Sequence, residues 1–152
     1  MAQIRKILVP TDFSDNSVAA LRCARSLAPA FGAEVLVIHV LLLPLYPFAL
    51  TTTGIPELEK QFRGGAAKRL AEFVGTETEH GVESRAILKT GDAFLEIIET
   101  AREEEIDLIV IATHGHTGIK HLMLGSIAEK VVRTATCPVL AVRKGQHEFV
   151  VP

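Results

Sequence analysis

Residues 108–142 read LIVIATHGHTGIKHLMLGSIAEKVVRTATCPVLAV, which is the pattern of a strand, a glycine-rich loop, a helix and a second strand. The first five residues, 108–112, are apolar and mostly β-branched, as is typical of a buried strand. Turn formers follow, and an amphipathic helix is predicted to begin at Gly125 and Ser126. A glycine loop that meets a helix N-terminus offers backbone N–H groups and a positive dipole end to an anion. The stretch therefore indicates a phosphate site; glycines that merely serve a turn are the alternative.

Strand and helix patterns alternate along the rest of the chain. Strands are predicted at residues 4–9, 34–41, 82–88, 107–113 and 138–142, and helices at residues 14–31, 56–80, 93–105 and 125–134. Ser14 and Asp92 are predicted to cap two helix N-termini, and Gly32 and Gly81 to end two helices. Five strands joined by helical crossovers predict an α/β fold with one open parallel sheet covered by helices on both faces.

Three segments stand out from this pattern. In the first helix, near-helical spacing predicts an apolar stripe of Val18, Leu21, Ala24 and Ala28, with Arg25 at the same spacing. Gly64 and Gly65 lie inside the second helix at a cost of about 2 kcal/mol relative to two alanines, which indicates a close packing contact or a break. Residues 42–55 form a proline-containing loop. Its apolar part, Leu41 to Leu50 with Tyr46 and Phe48, either folds over the core or serves as a lid or partner surface.

Length and charge limit the class of protein. The chain of 152 residues is predicted to form one domain, residues 1–152, with a variable loop at 42–55 and a C-terminal tail at 144–152. Its net charge is −2 and it has no long basic run, which argues against nucleic acid or an anionic membrane as the main partner. The longest apolar run, residues 35–50, is interrupted and too short to span a bilayer.

The two cysteines, Cys23 and Cys137, lie far apart and form no CxxC motif. A disulfide scaffold is therefore not expected, and a reducing compartment is the simpler interpretation. The chain also enters its first strand without a charged and then apolar signal segment. These features predict a cytoplasmic protein.

The loop at residues 112–126 resembles the nucleotide loop of the universal stress proteins. ATP-binding members of that family have Gly, two residues, Gly, nine residues, and then Gly-Ser or Gly-Thr. Gly115, Gly125 and Ser126 match this pattern, whereas Ala112 stands where the family has its first glycine. The opening KILVPTD, residues 6–12, and the closing CPVLAV are also similar to the family. The resemblance covers about residues 3–143.

The resemblance implies a Rossmann-like sheet with strand order 3-2-1-4-5. Ligands of such sheets bind beyond the carboxyl ends of the strands, where the strand order reverses. The reversal lies between strands one and four, so Asp12 and Gly115 are expected at one crevice. The resemblance places Pro10, Thr11 and Asp12 around adenine and ribose, with Val40 lining the adenine pocket. From the sequence alone, Asp12 could instead contribute to helix capping, and Val40 is ordinary core.

The phosphates of ATP are expected at the other end of the crevice. The resemblance assigns them to Gly115, Gly125, the Ser126 hydroxyl and the backbone N–H of Ile127, whose side chain is expected in the core. It places His114 beside the phosphates, and a divalent cation, Mg²⁺, would neutralise the triphosphate. Simple N-capping of the last helix by Ser126 is the alternative. The methyl group of Ala112 is expected to weaken binding by crowding the nucleotide.

No catalytic residue and no protein metal site are predicted. His114, His116, His121 and Cys137 are the candidate ligands, but their loop spacing does not give the convergent geometry of a zinc site. The chain has no Walker A, GxGxxG or Gly-x-Ser-x-Gly motif. Because no water-activating base is evident, any ATP hydrolysis is expected to be slow.

The resulting hypothesis is an ATP-binding universal stress protein that acts as a nucleotide-dependent regulator in a stress response. One alternative is a member that binds no nucleotide and serves as a dimeric interaction module. The other is an ATP-hydrolysing or adenylate-transferring enzyme. The resemblance also implies a homodimer through the last strand, residues 138–142. A further alternative is a scaffold whose Leu41–Leu50 loop docks a protein client.

Overall fold

Five parallel strands form one open sheet in the computed structural model, which describes residues 3–43, 55–76, 82, 84–114 and 124–145. The strands are β1 (Lys6–Pro10), β2 (Glu34–Leu41), β3 (Ser84–Thr90), β4 (Leu108–Ala112) and β5 (Val139–Val142). The helices are α1 (Asp15–Phe31), α2 (Ile55–Gly75), α3 (Ala93–Glu103) and α4 (Ser126–Thr134). The strand order is β3-β2-β1-β4-β5, which confirms the predicted fold class and topology.

Successive residues of each strand point to opposite faces of the sheet, and each face packs in its own apolar layer. Ile7 and Val9 of β1 pack with α1 and α2, whereas Leu8 between them packs with α3 and α4. All three are fully buried. Burial on both faces explains why these strands read as continuous apolar runs, and it leaves the carboxyl ends of the strands as the place where side chains can meet a ligand.

Local capping signals fix the ends of two helices as predicted. Ser14 caps α1 by accepting a hydrogen bond from the Ser17 N–H, and Asp92 caps α3 by accepting from the Leu95 N–H. Gly32 ends α1 in the left-handed region at φ 64°, a conformation that favours glycine.

The predicted end of α2 was wrong. The helix stops at Gly75 rather than near His80, and at this end buried Arg25 of α1 donates to the carbonyl groups of Val74 and Thr76. Gly81 lies outside the described residues, as do residues 44–54 of the predicted loop and 146–152 of the tail.

The interpretation of Gly64 and Gly65 was also wrong. Both residues lie on the exposed face of an unbroken helix, and a Cβ atom at either would meet no atom of the described residues within 4 Å. The two glycines therefore mark neither a break nor a close packing contact.

Two further boundaries differ from the prediction. Strand β3 runs two residues later than expected, because it pairs with β2 from Val35↔Ser84 to Leu41↔Thr90. Helix α3 ends at Glu103, and Glu105 turns the chain toward β4 with φ 54°. Among the helices of the described ranges, none is long and apolar enough to cross a membrane.

Candidate functional site

A cavity of about 400 Å³ opens at the carboxyl ends of β1, β2 and β4, beside the N-termini of α3 and α4. Every predicted site residue that the structure describes lines it: Pro10, Thr11, Asp12, Val40, Ala112, His114, Gly125, Ser126 and Ile127. Gly115 lies outside the described residues. A cavity of this size is typical of a small-molecule site.

The cavity has an apolar wall and a polar side. Ile38 and Val40 of β2, Ile97 of α3 and Ile111 of β4 supply much of the apolar wall. The polar groups are on Thr11, Asp12, Ser17, His39, Thr113, His114 and Ser126. This distribution suits a ligand with a flat apolar body and a polar or charged tail.

A network of hydrogen bonds fixes the turn that follows β1. The Ser14 N–H donates to Asp12 Oδ1 at 2.9 Å, and the Thr11 hydroxyl donates to Ser17 Oγ at 2.9 Å. The Ser17 hydroxyl lies 2.8 Å from the Ser14 carbonyl and 3.2 Å from Asp12 Oδ1. Asp12 therefore accepts hydrogen bonds at the start of α1, in agreement with the alternative that it contributes to helix capping. It also lines the cavity.

An aromatic cluster supports the same turn from the opposite side. Phe13 has φ 65°, a strained conformation for a bulky residue that costs on the order of 1 kcal/mol. Its ring centroid lies 4.2 Å from that of His39 and 5.8 Å from that of Phe73, and the Arg69 guanidinium lies 4.5 Å from its centroid. These contacts offset the strain and hold Phe13 where it turns the chain into α1.

The N-terminus of α4 meets the cavity with little side-chain capping. Gly125 is the N-cap residue, and its own N–H donates to the Thr113 carbonyl at 2.6 Å. A Cβ atom on Gly125 would lie 3.1 Å from that carbonyl oxygen. Since φ is −57°, it is the tight space and not the backbone conformation that favours glycine here.

Ser126 is the first residue of α4 and is exposed, so the N-cap interpretation of this serine was wrong. Glycine has no side chain to cap with, and no described side chain caps the first turn of α4, whose residues Ser126, Ile127 and Ala128 line the cavity. Beside them, the Thr113 hydroxyl lies 2.9 Å from His114 Nδ1.

The side chain of Ile127 does not lie in the core, contrary to the prediction. It is 41% exposed at the cavity mouth, because α4 turns Ala128 and Val131 toward α3 and the sheet. Its backbone N–H belongs to the open first turn of the helix.

The described residues contain no group of three or more potential metal ligands. Cys137 is half-buried and packs against the apolar layer of α3 and α4. Burial raises the pKa of its thiol, which disfavours the thiolate that metals bind. His116 and His121 lie outside the described residues.

Several cavity residues had not been predicted. They are Ser17, Ile38, His39, Ala93, Ile97, Ile111, Thr113 and Ala128. Two of them, Ser17 and His39, contact the segment that follows β1. Ser17 Oγ accepts from the Thr11 hydroxyl, and His39 Nδ1 lies 2.8 Å from the Thr11 carbonyl. The sequence signal for His39 was its place beside Val40 at the end of a strand.

Comparison with known proteins gives one consistent family. The model of the universal stress protein family matches residues 3–143. A universal stress protein of Methanocaldococcus jannaschii is 38% identical over 149 residues, which are 95% of this chain and 85% of the relative.

Two solved structures extend the comparison. Universal stress protein UspA from Lactobacillus plantarum superposes with a TM-score of 0.73 at 26% identity, covering 94% of this chain and 100% of the other. The universal stress protein from Archaeoglobus fulgidus in complex with dAMP superposes with a TM-score of 0.64 at 26% identity, covering 92% and 98%. The second of these proteins therefore binds an adenine nucleotide.

Proposed function

The chain belongs to the universal stress protein family, and we propose that it binds ATP and acts as a nucleotide-dependent regulator in a stress response. The observation that carries the proposal is the N-terminus of α4, which has no side-chain cap among the described residues and where Gly125 packs against the Thr113 carbonyl, at a cavity that also has apolar lining. The dAMP complex of the Archaeoglobus fulgidus relative supports an adenine nucleotide as the ligand.

The apolar wall is proposed to hold the adenine. Val40 and Ile38 offer flat aliphatic surface at the end of β2, and Asp12 offers a carboxylate for the ribose hydroxyl groups. Pro10 and Thr11 complete this end through the backbone after β1. Ala112 also borders the cavity, and its methyl group is expected to weaken binding without closing the space.

The first turn of α4 is proposed to hold the phosphates. The N–H groups of Ser126 and Ile127 and the Ser126 hydroxyl can donate to phosphate oxygens, and the helix dipole favours the negative charge. His114 lies beside them, and we assign Gly115 to the same end on the family pattern. Mg²⁺ would be held mainly by the phosphates and water, as this ion commonly is, because no ligand cluster exists among the described residues.

We expect at most slow ATP hydrolysis. The ionisable side chains that line the described cavity are Asp12, His39 and His114, and each already hydrogen-bonds within the protein. Sustained turnover would instead support the alternative of an ATP-hydrolysing or adenylate-transferring enzyme. A cytoplasmic location remains part of the proposal, because Cys23 and Cys137 are free thiols.

Calorimetric titration tests the proposed ligand. We expect ATP with Mg²⁺ to bind with a dissociation constant in the micromolar range, and GTP to bind more weakly because the adenine wall is apolar. Mass spectrometry of gently purified protein is expected to detect retained adenine nucleotide. Absence of both heat and retained nucleotide would favour the interaction module that binds no nucleotide.

We also propose a homodimer through β5, which is an edge strand of the sheet. Pro138 and Val142 turn their carbonyl groups toward β4, where they accept from Ile109 and Thr113. Because these groups alternate along a parallel strand, the N–H groups of Val139 and Ala141 point away from the sheet. An apolar edge with open N–H groups is a template for pairing with a second copy.

Ala141→Pro is expected to convert a dimer into a monomer at micromolar concentration. Proline removes the outward N–H of Ala141 and leaves the ladder to β4 intact, since edge strands tolerate proline. Ala141→Thr keeps that N–H and serves as the matched control. Sedimentation velocity is the measurement, and a monomeric wild type would contradict the proposed dimer.

A further inference from the structure

Ser17 is a buried hydroxyl at the centre of the hydrogen bonds beneath the cavity. It lies in the first turn of α1 and is 2% exposed. It accepts from the Thr11 hydroxyl, which in turn accepts from the Phe13 N–H at 2.9 Å. Its single hydrogen is shared between the Ser14 carbonyl and Asp12 Oδ1. The chain of donors thus ends on a carboxylate that lines the cavity.

The backbone beside that carboxylate is fixed by other contacts. The Thr11 N–H donates to the Ile38 carbonyl at 2.9 Å, and the Thr11 carbonyl accepts from His39 Nδ1. Since a carbonyl group only accepts, Nδ1 of this imidazole carries a hydrogen. Loss of the Ser17 hydroxyl would therefore loosen the Asp12 side chain and leave the strand end in place.

We propose that Ser17 is a positioning residue for the nucleotide, which it serves by holding the Asp12 carboxylate in the orientation that meets the ribose. This inference rests on the proposed function. A carboxylate that must be immobilised on binding loses affinity, so removal of the Ser17 hydroxyl is expected to weaken ATP binding roughly three- to tenfold.

The chain offers a matched control on the same helix. Ser26 donates to the Cys23 carbonyl at 2.8 Å, the same bond to the third preceding residue that Ser17 makes to Ser14. Ser26 does not line the cavity. Ser17→Ala and Ser26→Ala therefore remove the same local bond, and they differ in the links of Ser17 to Thr11 and Asp12.

Calorimetry on wild type, Ser17→Ala, Ser26→Ala, Asp12→Asn and the Asp12→Asn/Ser17→Ala double variant is the test. We expect Ser17→Ala to weaken ATP binding while Ser26→Ala leaves it unchanged. We expect no further loss from Ser17→Ala in the Asp12→Asn background, because the two residues act as one unit. The Ser14 amide donates to Asp12. In the nucleotide-free protein, its hydrogen exchange should be faster in Ser17→Ala than in the wild type, and unchanged in Ser26→Ala.

Equal ATP affinities for Ser17→Ala and Ser26→Ala would overturn the positioning role and leave the proposed function standing. If Ser17→Ala lowered the ATP affinity equally in the wild type and in Asp12→Asn, the positioning role would also be overturned, because Ser17 would then act independently of Asp12. A wild type that binds no nucleotide would remove the proposed function and this role with it.

Discussion

Gly125→Val is expected to lower the affinity for ATP by about 100-fold, or roughly 2.8 kcal/mol. The added Cβ would lie 3.1 Å from the Thr113 carbonyl oxygen, and the two methyl groups of valine crowd the same space further. The bond from the Gly125 N–H to that carbonyl would have to open, and the first turn of α4 would move from the phosphates. Titration of the variant with ATP and Mg²⁺ measures the effect.

Gly64→Val is the control for this change. A Cβ atom at Gly64 meets nothing within 4 Å, and the position is exposed on α2, away from the cavity. Its ATP affinity should equal that of the wild type. Circular dichroism must show that both variants are folded. If a folded Gly125→Val binds ATP as tightly as the wild type, the first turn of α4 does not hold the phosphates.

Much of the fold follows from local signals in the sequence. The apolar runs of β1, β2 and β4 are buried on both faces, and the caps at Ser14 and Asp92 need only their own helix to act. The strand order came from the family resemblance, since nothing in a single strand states which neighbour it pairs with. The bounds of β3 depend on its pairing with β2, so the local pattern placed them two residues early.

The candidate site likewise contains residues that the sequence predicts and residues that it does not. Those residues expected from the loop spacing and from the strand ends that the structure describes line one cavity, because the carboxyl ends of β1 and β4 are adjacent in this topology. Ser17 and His39 were not predicted, since their roles depend on contacts with Thr11 and Asp12 that form only after folding. Ile127 was misassigned because the rotation of α4 is set by packing of the helix and not by its sequence alone.

Arg25 shows how a single buried charge can set a helix boundary that the sequence pattern does not reveal. It shares the spacing of the apolar stripe on α1 and is 1% exposed. Its guanidinium donates to the Val74 and Thr76 carbonyls and, at 3.0 Å, to Ser84 Oγ. One side chain therefore joins α1 to the end of α2 and to the start of β3, and a cation at a helix C-terminus is favoured by the dipole.

Arg25→Met is accordingly expected to lower the free energy of unfolding by about 3 kcal/mol. Methionine fills similar space but supplies no donor, so the partly buried acceptors at the end of α2 and at Ser84 lose this partner. Arg25→Lys should recover only part of the loss, because one ammonium group cannot span three acceptors as the planar guanidinium does. Urea unfolding with an unchanged m-value is the measurement.

Arg22→Met is the control for Arg25, since Arg22 is exposed one turn earlier on the same helix. We expect it to change stability by less than about 1 kcal/mol. Equal stability of Arg25→Met and the wild type would mean that water satisfies the carbonyls of half-buried Val74 and exposed Thr76. The end of α2 would then have to be set by Gly75 itself, and substitution of Gly75 by alanine would lengthen the helix. If Arg25 sets the end, that substitution leaves the helix unchanged in length. The Thr76 amide already donates to the Glu72 carbonyl at 3.1 Å, so hydrogen exchange of the amides that follow Thr76 distinguishes the two cases.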